Sequence, residues 1–129
     1  MGAGTLNVVV SDGLSPKTLY GSDLELAKGL CEPILATEGP RVDRIILFGS
    51  RARGDARPDS DYDLLVVVEE IAAEDKEAYL LALYRALRDG QPVAEPWVLS
   101  RAEFEETKTV AGSAAYPAWA EGVVLYERR

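Results

Sequence analysis

Histidine is absent from this chain of 129 residues. That single gap removes Ser-His-Asp hydrolysis, Cys-His nucleophilic catalysis, zinc sites of the histidine type and imidazole general bases. Cys31 is the sole cysteine, so neither an internal disulfide nor a cysteine zinc cluster can form, and a reducing compartment fits. No run approaches the ~20 apolar residues of a membrane helix. The start, Met1-Gly2-Ala3-Gly4-Thr5, lacks the basic segment and apolar core of a signal peptide, so a cytoplasmic protein with no membrane attachment is expected. Positive charge is also scarce: 14 Lys and Arg stand against 22 Asp and Glu, a net charge of −8. Such a chain repels phosphate backbones, and a long nucleic acid is not an expected partner. Chemistry must run on carboxylates, hydroxyls, arginines and bound metal.

What is present is ordinary for a globular chain, with 47% hydrophobic and 28% charged residues, and the length suits one domain over residues 1–129. Thr5 to Val10 reads as a short strand ending at the turn pair Asp12-Gly13, and residues 1–20 form an extension of uncertain role. Ser22 with Glu25 makes a capping-box signature, after which Leu26, Leu30 and Ile34 recur at helical spacing, with a kink or break expected near Pro33. Val42 to Phe48 is a strand whose run Ile45-Ile46-Leu47-Phe48 suggests burial on both faces. A polar loop leads to a second strand, Asp61 to Val68. The clearest helix spans about Glu74 to Asp89, with Leu80, Leu83, Tyr84 and Leu87 as its apolar stripe and Gly90 after it. Pro92 to Leu99 is a third strand that Pro96 confines to an edge or a bulge. Ser100 and Glu103 repeat the capping box and open a helix to about Val110. A loop with a short helix then leads to a last strand over Val123 to Tyr126. The fold class is α/β (α+β), a small mixed sheet flanked by helices.

One stretch concentrates the chemistry: Phe48-Gly49-Ser50-Arg51-Ala52-Arg53-Gly54, then Asp61-Tyr62-Asp63. Attack on the α-phosphate of a nucleotide needs a polyphosphate neutralised and a nucleophile held in line with the leaving pyrophosphate, which two divalent ions supply together. Mg²⁺ takes oxygen ligands and keeps several waters, so a few carboxylates suffice. Asp61 and Asp63, two apart on a strand, face the same way and can bridge two ions. Glu95, on a neighbouring strand, is the candidate third carboxylate. Gly49 lets backbone approach a phosphate closely, Ser50 offers a hydroxyl and an N–H, and Arg51 and Arg53 are candidates for holding β- and γ-phosphates. Ser60 orders the loop before Asp61 as a turn residue and is counted with the nucleotide-binding set. Trp97 is expected in the core, and Arg57 in solvent.

Gly49-Ser50, ten intervening residues and Asp61-x-Asp63 resemble the signature of the DNA polymerase β-like nucleotidyltransferase superfamily. The segment is especially similar to its minimal nucleotidyltransferases, the MNT domains, over roughly residues 42–126. In that group the third strand carries an aspartate five residues before the Ser or Thr opening the next helix. Glu95 stands five before Ser100, so the position agrees and the residue type differs. The resemblance implies the polymerase β-like fold, ATP as substrate with two Mg²⁺ ions, and a role similar to antitoxins paired with HEPN-domain toxins, some of which receive AMP on a tyrosine. Two further readings stay open. One is an antitoxin that neutralises a HEPN partner by complex formation with little or no catalysis. The other is a small-molecule nucleotidyltransferase, for whose usual extra substrate domain the chain has little room.

Overall fold

A computed structural model describes residues 6–10, 21–88 and 92–128, with backbone alone for 6–10 and for residues 21 and 22. The elements are β1 (Leu6–Val10), α1 (Gly21–Ala36), β2 (Val42–Phe48), α2 (Ser50–Arg53), β3 (Tyr62–Val68), α3 (Ala73–Arg88), β4 (Ala94–Ser100), α4 (Arg101–Thr107), α5 (Ala115–Glu121) and β5 (Val123–Glu127). They form one mixed sheet in the order β1-β5-β2-β3-β4. β2 runs antiparallel to both β3 and β5, while β3 and β4 are parallel and are joined by α3. A parallel pair needs a crossover of a dozen or more residues, and α3 supplies it.

The central strands are buried on both faces, and strand alternation sorts their side chains into two cores. Ile45, Leu47, Leu64, Val66 and Val68 pack with Ala27, Leu30, Cys31 and Ile34 of α1 and with Tyr79, Leu83 and Leu87 of α3. Ile46, Phe48, Leu65 and Val67 face the other way, onto Phe104, Ala115 and Ala118 of α4 and α5. Each such side chain, removed from water on a middle strand, contributes about 1.5–3 kcal/mol. The unbroken apolar runs of β2 and β3 therefore carry the sandwich of helix, sheet and helix. They also aim the ends of those strands at one corner.

Several boundaries differ from expectation for identifiable reasons. Helix α1 does not break at Pro33 but continues to Ala36. Pro33 lies in its last turn, where little helix remains to disrupt, and its carbonyl accepts a 2.7 Å hydrogen bond from the Thr37 hydroxyl. On α3 the buried stripe is Tyr79, Leu83 and Leu87, whereas Tyr84 is 41% exposed. The stripe follows spacings of four back from Leu83, which replaces Tyr84 with Tyr79 on the core face. β4 lies at the sheet edge, as Pro96 requires, and keeps a regular register with no bulge against β3. Trp97 is 39% exposed on that edge strand, not in the core. The Ser100 capping box is real, with Ser100 Oγ accepting from Glu103 N–H at 3.1 Å and Glu103 Oε1 accepting from Ser100 N–H at 2.9 Å. Helix α4 ends at Thr107, short of Val110. β1 takes the outer place beside β5. The expected turn at Asp12-Gly13 and the role of residues 1–5 and 11–20 lie outside the described residues, as does Gly90. No helix among the described residues is long and apolar enough to cross a membrane.

Candidate active site

The corner of interest is where β2 ends, β3 begins and β4 begins. In the β2–β3 ladder Phe48 pairs with Asp63, and in the β3–β4 ladder Asp63 pairs with Glu95. Gly49, Asp63 and Glu95 are thus drawn together by strand register. Asp61 stands one residue before β3 and is exposed.

Gly49 is required here twice over. Its φ of 79° and ψ of −159° lie in a region that only glycine adopts without strain. A Cβ at this position would also run into the carboxylate of Asp63. The missing side chain is what lets Asp63 fold over the start of α2. That turn is compact: Ala52 and Arg53 N–H both donate to the Gly49 carbonyl at 3.0 Å, and Gly54, at φ 90°, closes it by donating to Ser50 O at 2.9 Å. Ser50 is half-buried at the first position of α2, beside this glycine turn.

Arg51 has a defined set of neighbours. Its guanidinium lies 4.6 Å from the centre of the Tyr62 ring. It donates to Ser60 O at 3.0 and 3.3 Å and to Pro58 O at 3.2 Å, and it pairs with Asp23 at 3.5 Å. The Tyr62 hydroxyl donates to the same Asp23 carboxylate at 2.7 Å. Burial and that carboxylate push the Tyr62 hydroxyl up to about 12. Tyr62 stands between Asp61 and Asp63, so this lock of arginine, ring and carboxylate fixes the backbone that presents both acids. Nothing in the sequence marked Asp23, which comes from α1, 39 residues away. Ser60 works in the same loop: its hydroxyl accepts from Arg57 N–H at 2.9 Å and its own N–H donates to Arg57 O at 3.0 Å. Arg57 is exposed.

Arg53 is more open and reaches Asp55 at 3.3 Å and Glu121 at 3.5 Å. It also lowers the proton affinity of Asp63, but not by enough. Burial first, then the charges of Glu95 and Asp61, hold the Asp63 carboxyl above its ordinary range against the opposing influence of Arg53 and of the Trp97 indole N–H. Trp97 sets its edge against Phe48 with ring centres 6.1 Å apart. Asp63 therefore stands out as a partly buried carboxyl whose proton affinity is raised, first by burial and then by two acidic neighbours, a kind of perturbation that gathers at functional sites.

The donor set suits a hard divalent ion, because it consists of carboxylate oxygens beside backbone and hydroxyl groups. Among the described residues no three acidic side chains converge as a ready chelate. Glu95 is turned to the Tyr84 hydroxyl, whose proton affinity rises through burial and through that carboxylate. Asp61 and Asp63 are accordingly the pair that would hold a metal, with Glu95 beside Asp63 in the strand register.

The profile of the nucleotidyltransferase domain matches residues 29–111. The chain belongs to that family. The matched segment runs from α1 through the Gly49-Ser50 turn, the acidic strand and Glu95 to just beyond α4. A nucleotidyltransferase domain of this kind is also similar to a proposed protein adenylyltransferase of Methanocaldococcus jannaschii, 42% identical over 48 residues, which are 37% of this chain and 48% of that protein. The match spans about half the length of that curated relative. A crystal structure of a proposed nucleotidyltransferase from Sulfolobus solfataricus superposes with a TM-score of 0.59 and 25% identity, over 83% of this chain and 82% of that one. A toxin-antitoxin structure with AMP-PNP shares the fold, with a TM-score of 0.51 and 19% identity over 81% and 76% of the two chains.

Proposed function

We propose that this nucleotidyltransferase domain transfers AMP from ATP, with Mg²⁺, to a hydroxyl of a partner protein, a HEPN-domain toxin, and acts as its antitoxin in the cytoplasm. The observation that carries the reading is the corner itself: a glycine that cannot carry a side chain, seated against Asp63 at the mouth of a short helical turn. Gly49 and Ser50 would receive the β- and γ-phosphates, aided by Arg53. Arg51 serves this site by fixing the Ser60–Tyr62 backbone through its carbonyl and ring contacts. Asp61 and Asp63 would hold two Mg²⁺ ions, which when bound neutralise the polyphosphate and align the attacking and leaving oxygens. The acceptor hydroxyl oxygen forms the new bond to the α-phosphorus, the bond to pyrophosphate breaks, and pyrophosphate leaves with the electron pair. The hydroxyl proton passes to the Glu95 carboxylate, the base available in a chain without histidine.

The acidic balance of the chain favours a protein acceptor of opposite charge over a nucleic acid. The M. jannaschii relative, named for protein adenylyl transfer, supports the same acceptor class. Labelled ATP, Mg²⁺ and the HEPN-domain protein should give label on that protein with wild type and none with Asp61→Asn/Asp63→Asn. Equal labelling by the double variant would sink the reading. A second reading, an antitoxin acting by complex formation alone, is favoured by Glu95 leaning on Tyr84. Rescue of cells from the toxin by the same double variant would decide for it.

A further inference from the structure

A groove of about 450 Å³ runs between α3 and β4, and its head is walled by Asp61 and Glu95. Its floor and sides carry Leu81, Tyr84 and Val93, which are 49%, 41% and 61% exposed. Large apolar side chains scattered singly over a surface need no explanation, but three gathered in one groove beside two acids of the candidate site do. Arg85 stands on its rim in a chain whose net charge is −8.

The order of the strands says which substrate this groove faces. Gly49 and Ser50 follow β2, Asp61 and Asp63 open β3, and Glu95 lies on β4, so phosphate turn, acid pair and third carboxylate succeed one another across the sheet. In an in-line displacement the leaving pyrophosphate and the attacking hydroxyl stand on opposite sides of the phosphorus. With the pyrophosphate at the β2 side, the acceptor arrives from the β4 side. The groove lies there, continuous with Glu95.

Resting on the proposed activity, we infer that the α3–β4 groove is the acceptor site. It takes an apolar segment of the HEPN-domain partner that presents its hydroxyl at the Asp61–Glu95 end and an acidic side chain to Arg85. The apolar walls recognise the body of the segment, and the cationic rim sets its direction along the groove. Tyr84, which lines the groove together with Glu95, positions that carboxylate at the point where segment and nucleotide meet.

The test uses the exposed variant Leu81→Glu/Val93→Glu, checked for an unchanged thermal transition, together with the milder Arg85→Glu. Three quantities are measured with each protein: affinity for Mg-ATP, affinity for the intact HEPN-domain protein without nucleotide, and rate of label transfer. The double variant should hold Mg-ATP as wild type does, bind the partner at least about tenfold more weakly and lose transfer in proportion, as expected when apolar anchors of an interface are replaced. Arg85→Glu should show a smaller loss of the same kind. Unchanged partner affinity in the double variant overturns the inference. So does a tenfold loss of Mg-ATP affinity, which would make the groove a nucleobase pocket. If wild type binds the partner but transfers nothing, the proposed activity falls while weakened binding by the variant still supports the groove. If wild type binds no partner, both fall.

Discussion

Asp63 and Asp43 sit near opposite ends of the same antiparallel pair, and they are treated in opposite ways. Asp43 accepts from Arg101 Nε at 2.6 Å and from Arg128 at 2.7 and 3.2 Å. Burial alone would raise its proton affinity, but the two guanidinium groups outweigh that and hold the carboxyl below its ordinary range. Beside it, the Ser100 capping box closes α4, with Lys76 bonded to Glu103 at 2.9 Å. At the other end burial, joined by the charges of Glu95 and Asp61, pushes Asp63 the other way. One end of the sheet has its charges matched inside the chain. At the other, the described residues do not fully offset the charge of Asp63, a perturbation of the kind that gathers at functional sites.

The largest effect should come from filling the corner that makes the site end possible. Gly49→Ala places a side chain in a glycine-only backbone region and against Asp63. Strain of that kind costs about 1–3 kcal/mol, with the collision added to it. Urea unfolding should report the loss, and adenylyl transfer should fall below detection. A variant of wild-type stability and activity would remove Gly49 from the site.

The matched end should break next. Asp43→Ala strips two arginines of a shared partner and should cost about 1–2 kcal/mol, discounted for partial exposure. Because the folded carboxyl is the stronger acid, its contribution is present above the unfolded value and is lost as pH falls through the lower folded one. Unfolding curves taken between pH 6 and pH 3 should therefore show a shallower acid loss in Asp43→Ala than in wild type, with the two converging at the acid end. Transfer of AMP should change little. Ser100→Ala, at the same end, removes the side-chain half of the capping box and should cost ~1 kcal/mol by the same measurement.

The legibility of the two ends in the sequence differs for physical reasons. The candidate-site end was readable because its residue types stand at short spacing, so Gly49-Ser50 and Asp61-x-Asp63 stand out without a structure. The strands β2 and β3 were readable because burial on both faces leaves unbroken apolar runs, and Pro96 placed β4 at an edge. The capping box at Ser100 is local and needs three residues to see. Contacts between distant segments left no such trace. Asp43 meets Arg128 across 85 positions, and Asp23 meets Tyr62 across 39. Arg51 looked like an anion ligand because its type and place suit one; its engagement with Ser60 and Pro58 depends on how the loop folds back. On α3 the helical period alone did not distinguish Tyr79 from Tyr84, since both fall near the apolar stripe and only the packing of α1 chooses between them.

The smallest expected effect has the opposite sign, and it separates the two ends most sharply. A carboxyl whose proton affinity is raised by folding is disfavoured in its ionised form, so its penalty appears as pH rises above the unfolded value and is complete above the folded one. Asp63→Asn removes that charge and should stabilise the ligand-free protein at neutral pH by a few tenths of a kcal/mol, at most about 1 given the site's exposure to water. Wild type should gain thermal stability on addition of Mg²⁺ with ATP, because a ligand that binds only the folded state adds its binding free energy. Asp63→Asn should start higher and gain less. If Asp63→Asn is instead less stable than wild type at pH 7, then the crowding of Asp61, Asp63 and Glu95 is already relieved within the chain. The contrast with Asp43 would then be one of geometry, and the unbalanced charge at this corner could no longer be taken as a place reserved for metal.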